Sequence, residues 1–230
     1  MAFTPIPDPQ RVPVVSTDAH LPALSADRLT PEFFRKRFSE NLVWQPEIAG
    51  DGRLSSRAPA HASVLIPVVL REHGPSVLLT RRTAHLRDHA GQISFPGGRV
   101  EIHDDDVVAT ALRETEEEVG LARQHIEVIG CLPIYTTVTA FQVTPVVGLV
   151  TPGFTLALDD FEVAEAFEVP LKFLMTPAYH RRHQVEFEGR MRQFLSMPWR
   201  GPDAAGTQQD YFIWGATAAM LRNLYSFLSE

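Results

Sequence analysis

An α+β fold built on a mixed β-sheet is what this sequence predicts, and three observations carry the reading. Strand-like runs crowd the middle of the chain from Ser63 onward. Helical periodicity is confined to a few segments, the strongest over residues 106–119 and another at the C-terminus. The two kinds of segment do not alternate as strand, helix, strand, so a doubly wound parallel sheet is not expected. At 230 residues, 44% hydrophobic and 21% charged, the chain suits one globular domain with extensions.

Taken in order, residues 1–60 are punctuated by Pro5, Pro7, Pro9, Pro13, Pro22, Pro31 and Pro46 and read as an irregular arm carrying one short helix. Thr30 is a fitting N-cap, Pro31 takes the first helical position, and EFFRKRF follows. Residues 61–230 read as the main domain. SVLIPVVL and SVLLTRR read as strands joined by a REHGP turn, with Pro67 marking a bulge or an edge. A polar segment, 83–98, ends in FPGG. The helix over 106–119 follows, with Gly120 as its left-handed terminus. HIEVIGCL and QVTPVVGLV read as strands, and a short helical stretch lies near 170–174. QVEFEG and RMRQFLS form a hairpin about Gly189, and RGPDAAGTQQ is a loop. WGATAAMLRNLYSFL is a terminal helix that buries Thr217, Met220, Leu221, Leu224 and Leu228.

Composition excludes several classes. The longest apolar run, Ala62 to Leu70, is broken by Ser63 and Pro67 and is about half a membrane span. MAFTPIPDPQ has neither a basic nor an apolar signal region, and FLSE is no retention address, so a cytoplasmic protein without membrane attachment is expected. One cysteine, Cys131, can form no intrachain disulfide and is expected as a small core residue. Acidic residues outnumber Lys and Arg by 28 to 21, a net charge of −7 that disfavours nucleic acid. An anionic substrate would therefore need local arginines or a bound cation.

The helix carries the chemistry. Val108, Leu112, Thr115 and Val119 form the expected buried stripe. Glu114, Glu117 and Glu118 gather on another face at i, i+3, i+4 spacing. A solvated acidic face is the plain alternative for three glutamates alone. Their setting argues otherwise: Gly97-Gly98 lies shortly upstream, Arg113 abuts Glu114, and Gly120 closes the helix. Like charges at that spacing repel, and a hard divalent cation with oxygen preference, Mg²⁺ or Mn²⁺, reverses the sign of that energy. Residues 97–121 resemble a Nudix box, G-x5-E-x7-R-E-U-x-E-E-x-G-U, through Arg113-Glu114-Thr115-Glu116-Glu117-Glu118-Val119-Gly120-Leu121. Thr115 stands at an aliphatic position. The first half is one residue longer than the pattern, so the early acid falls to Glu101, Asp104 or Asp105.

Upstream, LLTRRTAHLRDHAGQISFPGG (78–98) resembles the extra motif of the coenzyme A pyrophosphatase branch of that family, through Leu78, Leu79, Thr80, Arg82, Arg87, Gly91, Phe95, Pro96, Gly97 and Gly98. Segments 143–149, 167–171 and 213–221 also look like this branch. The resemblance implies a Nudix fold, a mixed sheet sandwiched between helices (α/β/α), and hydrolysis of the coenzyme A diphosphate to 4′-phosphopantetheine and adenosine 3′,5′-bisphosphate. It implies a metal held by Glu114, Glu117, Glu118 and a backbone carbonyl at Gly98, with Gly97, Arg113 and Gly120 as structural supports. Arg82 and Arg87 are the favoured substrate contacts. Arg81 is a third candidate, although strand alternation sends Arg81 and Arg82 to opposite faces. His85 and His89 are expected as loop residues. A further acid, base or extra ligand, is expected from 159–171, with Glu165 preferred over Glu162.

Two other readings stand beside this one. One is a Nudix pyrophosphatase of ADP-ribose or NADH-type dinucleotides, against which the absence of an SQPWPFP-type array speaks for NADH. The other is a catalytically silent nucleotide-binding Nudix regulator, against which the intact glutamates speak. The arm offers surface for a partner protomer, so a homodimer is also an expectation.

Overall fold

The computed structural model describes residues 6, 8–40, 42–51, 58–86, 89–187, 190–203 and 205–230. In chain order its elements are β1 (Val14–Thr17), α1 (Pro31–Ser39), β2 (Ala60–Val69), β3 (Ser76–Arg82), β4 (Ile93–Ser94), β5 (Gly97–Arg99), α2 (Val107–Val119), β6 (Ile126–Cys131), β7 (Tyr135–Thr136), β8 (Phe141–Val150), β9 (Val163–Pro170), α3 (Leu171–Leu174), β10 (Arg181–Phe187), β11 (Arg190–Pro202), β12 (Gln208–Trp214) and α4 (Gly215–Ser229).

Strands β2 and β8 run parallel in unbroken register, from Ala60 against Phe141 to Val69 against Val150. Their antiparallel neighbours complete an eight-stranded sheet: β3 and β5 beside β2, β6 and β7 beside β8, and β4 and β9 beside β3. The sheet is therefore mixed, as expected. Its central strands are near-continuous apolar runs because both faces are covered. Pro67 corrects an expectation, since it lies neither at an edge nor in a bulge. It faces Gly148 in the parallel ladder, where the other side of β2 passes from β5, paired at Ala62 to Val64, to β3, paired at Val68 and Val69. A missing N–H costs no ladder bond in that gap.

A second sheet, in the order β1, β10, β11, β12, is wholly antiparallel. The β10–β11 hairpin is as expected, while Gly189 at its turn lies outside the described residues. The expected loop over 200–209 is shorter than read, since β11 runs to Pro202 and β12 starts at Gln208. One face of the large sheet meets α2: Leu65 and Val146 pack on Ala111, and Val69, Leu78 and Val150 on Val119. On the other face Ile66, Val77, Leu79, Val147 and Phe167 join Met197, Tyr211 and Ile213 of the small sheet, and Leu221, Leu224 and Leu228 of α4. The large sheet thus lies between α2 and a layer of α4 and the small sheet.

The α4 stripe is as predicted: Thr217, Met220, Leu221, Leu224 and Leu228 are all buried. Truncating Leu221 or Leu224 to Ala would cost about 2–5 kcal/mol by the usual cavity penalty. In the arm, Thr30 Oγ1 accepts from the Phe33 N–H at 3.2 Å and caps α1, as read from the sequence. The arm strand β1 was not expected; it edges the small sheet through β10. Arm residues are tied to α4: Arg28 and Arg37 donate to the carbonyls of Leu228 and Phe227, and Tyr225 Oη donates to the Pro22 carbonyl. Cys131 corrects another expectation: it is exposed at the end of β6. No helix among the described residues is long and apolar enough to cross a membrane.

Candidate active site

Helix α2 starts one residue later than predicted, because Asp106 is its cap and accepts from the Ala109 N–H at 2.7 Å. It ends where expected. Gly120 sits at φ 69°, its N–H donates to the Glu116 carbonyl, and a Cβ there would lie 2.8 Å from the Ala157 nitrogen. The buried sector is turned from the predicted one. Ala111, Thr115, Glu118 and Val119 are buried, whereas Val108 and Leu112 are partly exposed. Thr115 is tolerated at its apolar position because its hydroxyl donates to the Ala111 carbonyl at 2.7 Å.

The turn of the buried sector puts a carboxylate inside. Glu118 is only 5% exposed. Its Oε2 accepts from the Gly97 N–H at 3.2 Å, and Arg82 stands 3.8 Å from its Oε1. Burial outweighs both partners and pushes the carboxyl up to about 8, with Glu162 and Glu114 adding like charge. Glu114 is also raised, chiefly by burial, against the pull of Arg113. The two glycines make this approach possible. Gly97 has φ 151° and lies so close to β2 that a Cβ would meet the Ser63 carbonyl oxygen at 2.4 Å. A Cβ on Gly98 would fall 2.4 Å from the Glu114 carboxyl carbon. Glycine is thus required at 97 to bring β5 against β2, while a Cβ at 98 would push on the Glu114 carboxylate.

Arg113 is the organiser of the exposed flank. It donates to Asp104 from Nε and Nη2, each at 2.9 Å, to Glu114 and Glu117 from Nη1, each at 3.0 Å, and to the Arg99 carbonyl at 3.2 Å. Asp104 is held well below the usual carboxylate range, first of all by Arg113. It also accepts from Thr110 Oγ1 and from the Glu101 N–H. Of the three acids open from the sequence, Asp104 is the one that braces α2, while Glu101 and Asp105 are exposed.

Arg81 and Arg82 do point to opposite faces. Arg82 reaches the α2 side, 3.8 Å from Glu118 and 4.0 Å from Glu162, with its buried Nε lacking a hydrogen-bond partner. Arg81 reaches the other side, 3.4 Å from Glu165 and 5.1 Å from the Tyr211 ring. The preference for Glu165 over Glu162 is not what the geometry favours. Glu165 accepts from Tyr211 Oη at 2.6 Å and pairs with Arg81, away from α2. Glu162 instead lies within the electrostatic field of Glu118 and Glu114. Sequence reasoning had no sight of Tyr211, which contacts Glu165 from 46 residues away. Arg87 lies outside the described residues. His85 packs on Phe161, and His89 Nδ1 lies 2.8 Å from Gln92 Oε1, consistent with loop roles.

The three box glutamates were expected to hold one metal together. Among the described residues, no three acidic, histidine or cysteine side chains are gathered as a ready-made ion cage. The reason lies in their partners: Arg113 takes Glu114 and Glu117, while Gly97 and Arg82 take Glu118. The donor set nonetheless fits a hard divalent cation. It offers the carboxylates of Glu114 and Glu118, whose charged forms burial disfavours, beside a backbone that approaches without a Cβ.

A model of the NUDIX domain matches residues 59–195. The Nudix hydrolase NudL of Salmonella heidelberg (strain SL476), described as uncharacterized, is 42% identical over 202 residues, spanning 87% of this chain and 96% of its own. NudL of Salmonella enteritidis PT4 (strain P125109) is 41% identical over the same shares. Among solved structures, a binary complex of a C. elegans Ap4A hydrolase aligns at TM-score 0.43 and 17% identity, over 52% of this chain and 85% of that one. With the domain match, the NudL relatives and a mixed sheet flanked by helix α2, the chain belongs to the Nudix family of hydrolases, which cleave pyrophosphate bonds and generally use divalent metal ions.

Proposed function

We propose that this hydrolase cleaves the diphosphate of coenzyme A to 4′-phosphopantetheine and adenosine 3′,5′-bisphosphate, with Mg²⁺ or Mn²⁺. The observation that carries the reading is Arg82. It belongs to the upstream motif that resembles the coenzyme A branch, and it stands beside Glu118 and Glu162 at long range, with a buried Nε unused. A guanidinium with spare donors next to one buried and one partly exposed carboxylate is suited to phosphate oxygens.

In this reading Glu114, Glu117 and Glu118, with the Gly98 carbonyl, hold the cation, and Gly97 fixes Glu118 through its N–H. A bound divalent cation supplies a Lewis acid that offsets the negative charge of the diphosphate oxygens. Arg82 binds and orients a phosphate oxygen. Water adds to one phosphorus, the bond from that phosphorus to the bridging oxygen breaks, and two phosphate monoesters leave. Glu162 takes the proton from the attacking water. Its nearness to Glu118 and Glu114 supports it over Glu165, which Tyr211 and Arg81 already engage. Arg113 and Asp104 brace α2.

The test is to incubate the protein with coenzyme A, ADP-ribose or NADH and Mg²⁺ or Mn²⁺, and to identify products by mass spectrometry. The expected result is the two named monoesters from coenzyme A. A tenfold or greater advantage of ADP-ribose in kcat/KM would replace this reading with the dinucleotide one.

A further inference from the structure

Beside the catalytic carboxylates stands an apolar ring that packing does not explain. Phe161 is 65% exposed, next in sequence to Glu162. A single exposed phenylalanine is ordinary. This one is held on a backbone that is pinned to the site from several directions. Its N–H donates to Asp159 Oδ1 at 2.9 Å, and its carbonyl accepts from Thr83 Oγ1 at 2.8 Å. The Asp159 N–H donates to the Glu118 carbonyl, and the Thr83 N–H to the Glu162 carbonyl, each at 2.9 Å. Thr83 follows Arg82 directly. The ring is thus tethered to the segments that carry Arg82, Glu118 and Glu162. A second exposed ring flanks it, His85, with centroids 4.9 Å apart and planes tilted by 57°. The pair is tilted, not stacked, and Phe161 keeps most of its surface exposed beside it.

We propose that Phe161, steadied by His85, is the platform on which the substrate's adenine ring stacks. The inference rests on the reading that the substrate is an adenine-bearing diphosphate, and adenine is the occupant that fits best. It is planar, it is one ribose away from the diphosphate that Arg82 and the glutamates address, and every base offers a π face to an aromatic side chain. Stacking of this kind contributes binding that is made equally in ground state and transition state, so it acts on KM more than on kcat.

The experiment compares wild type, Phe161→Ala, Phe161→Tyr and His85→Ala in steady-state hydrolysis of three substrates: coenzyme A, ADP-ribose and pantetheine 4′-(methyl diphosphate), which has no base. For each adenine substrate that the wild type cleaves, Phe161→Ala should raise KM roughly ten- to a hundredfold with kcat held within about threefold, and Phe161→Tyr should restore KM. On the baseless diphosphate the alanine variant should match wild type. Equal losses on substrates with and without a base, or unchanged KM for the adenine substrates, overturns the platform. A wild type that prefers ADP-ribose sinks the coenzyme A assignment while leaving the platform readable through ADP-ribose. Normal coenzyme A cleavage by Phe161→Ala sinks the platform alone.

Discussion

Among the described residues, two clusters of partly buried charged side chains are built on opposite principles. Where the arm meets the small sheet and α4, Arg182 donates to both oxygens of Asp18 at 2.7 and 2.9 Å and to Glu47 at 2.7 Å. Arg222 completes the set, 2.6 Å from Glu47 and 3.2 Å from Asp18. His180 fits as a neutral ring: Nε2 faces the Leu174 carbonyl, which can only accept, and Nδ1 faces the Arg222 guanidinium, which can only donate. At α2, by contrast, Arg82 stands 3.8 and 4.0 Å from its carboxylates with a buried nitrogen unused, and Glu118 is buried with little compensation. Close, complete pairing marks a structural lock. In the reading proposed above, the loosely paired charge at α2 is the part kept for a ligand.

The comparison breaks most visibly at Arg222. Arg222→Met leaves Glu47 and the His180 acceptor short of a donor inside the protein. Unfolding free energy should fall by about 3–5 kcal/mol, the usual cost of breaking a buried pair, while the activity of the folded fraction stays near wild type. Denaturant titration and specific activity check the two halves. Should Arg222→Met unfold at the wild-type denaturant concentration, the lock is not one.

A second test of the lock uses pH. Burial lowers the His180 pKa to about 4, with Arg222 adding to that and the Leu174 carbonyl opposing it. The folded state therefore binds its proton later than the unfolded chain, whose histidine titrates near 6.5. His180 contributes nothing to destabilisation above about pH 6.5, and stability drains as pH falls from there toward 4, by about 3 kcal/mol over the whole window. Urea midpoints from pH 7 to 4.5 measure it. The result against the account is a His180→Gln variant that loses as much stability over this window as wild type.

At α2 the expectation is inverted. Glu118→Gln keeps the shape and removes a cation ligand the fold does not need, so activity should fall by about a hundredfold or more with the melting temperature unchanged or raised. Collapse of stability in that variant would place Glu118 with the structural lock instead. A smaller contrast sharpens the site. Glu162→Gln should cost about tenfold or more in kcat, whereas Glu165→Gln, which disturbs only Tyr211 and Arg81, should cost less than about threefold. The reverse order would restore Glu165 as the base.

How much of this was legible depends on distance along the chain. The end of α2, the left-handed Gly120, the capped α1 and the α4 stripe follow from neighbouring residues, and the structure carries each of them. Opposite faces for Arg81 and Arg82 also follow from strand alternation. Which of them meets α2 does not, because that is set by the face of the sheet on which the helix packs. Glu118 was read as a member of the polar face. It lies inside because β2 and β5 press on α2 from that side, with Gly97 supplying the N–H. Asp104 could be narrowed only to a trio, since the bond to Arg113 depends on how the preceding loop folds back. The lock was invisible: Asp18 and Arg182 are 164 residues apart, and neither sits in a periodic pattern.

The central claim is that the α2 carboxylates Glu114, Glu117 and Glu118, the last of them buried and loosely paired, form the cation site. Mn²⁺ uptake, followed by the paramagnetic resonance signal of the free ion, tests it without any substrate. Wild type and Arg222→Met should bind Mn²⁺ alike under conditions where both are folded, and Glu118→Gln and Glu114→Gln should each bind at least about tenfold more weakly. Undiminished Mn²⁺ binding by both glutamine variants would contradict the account.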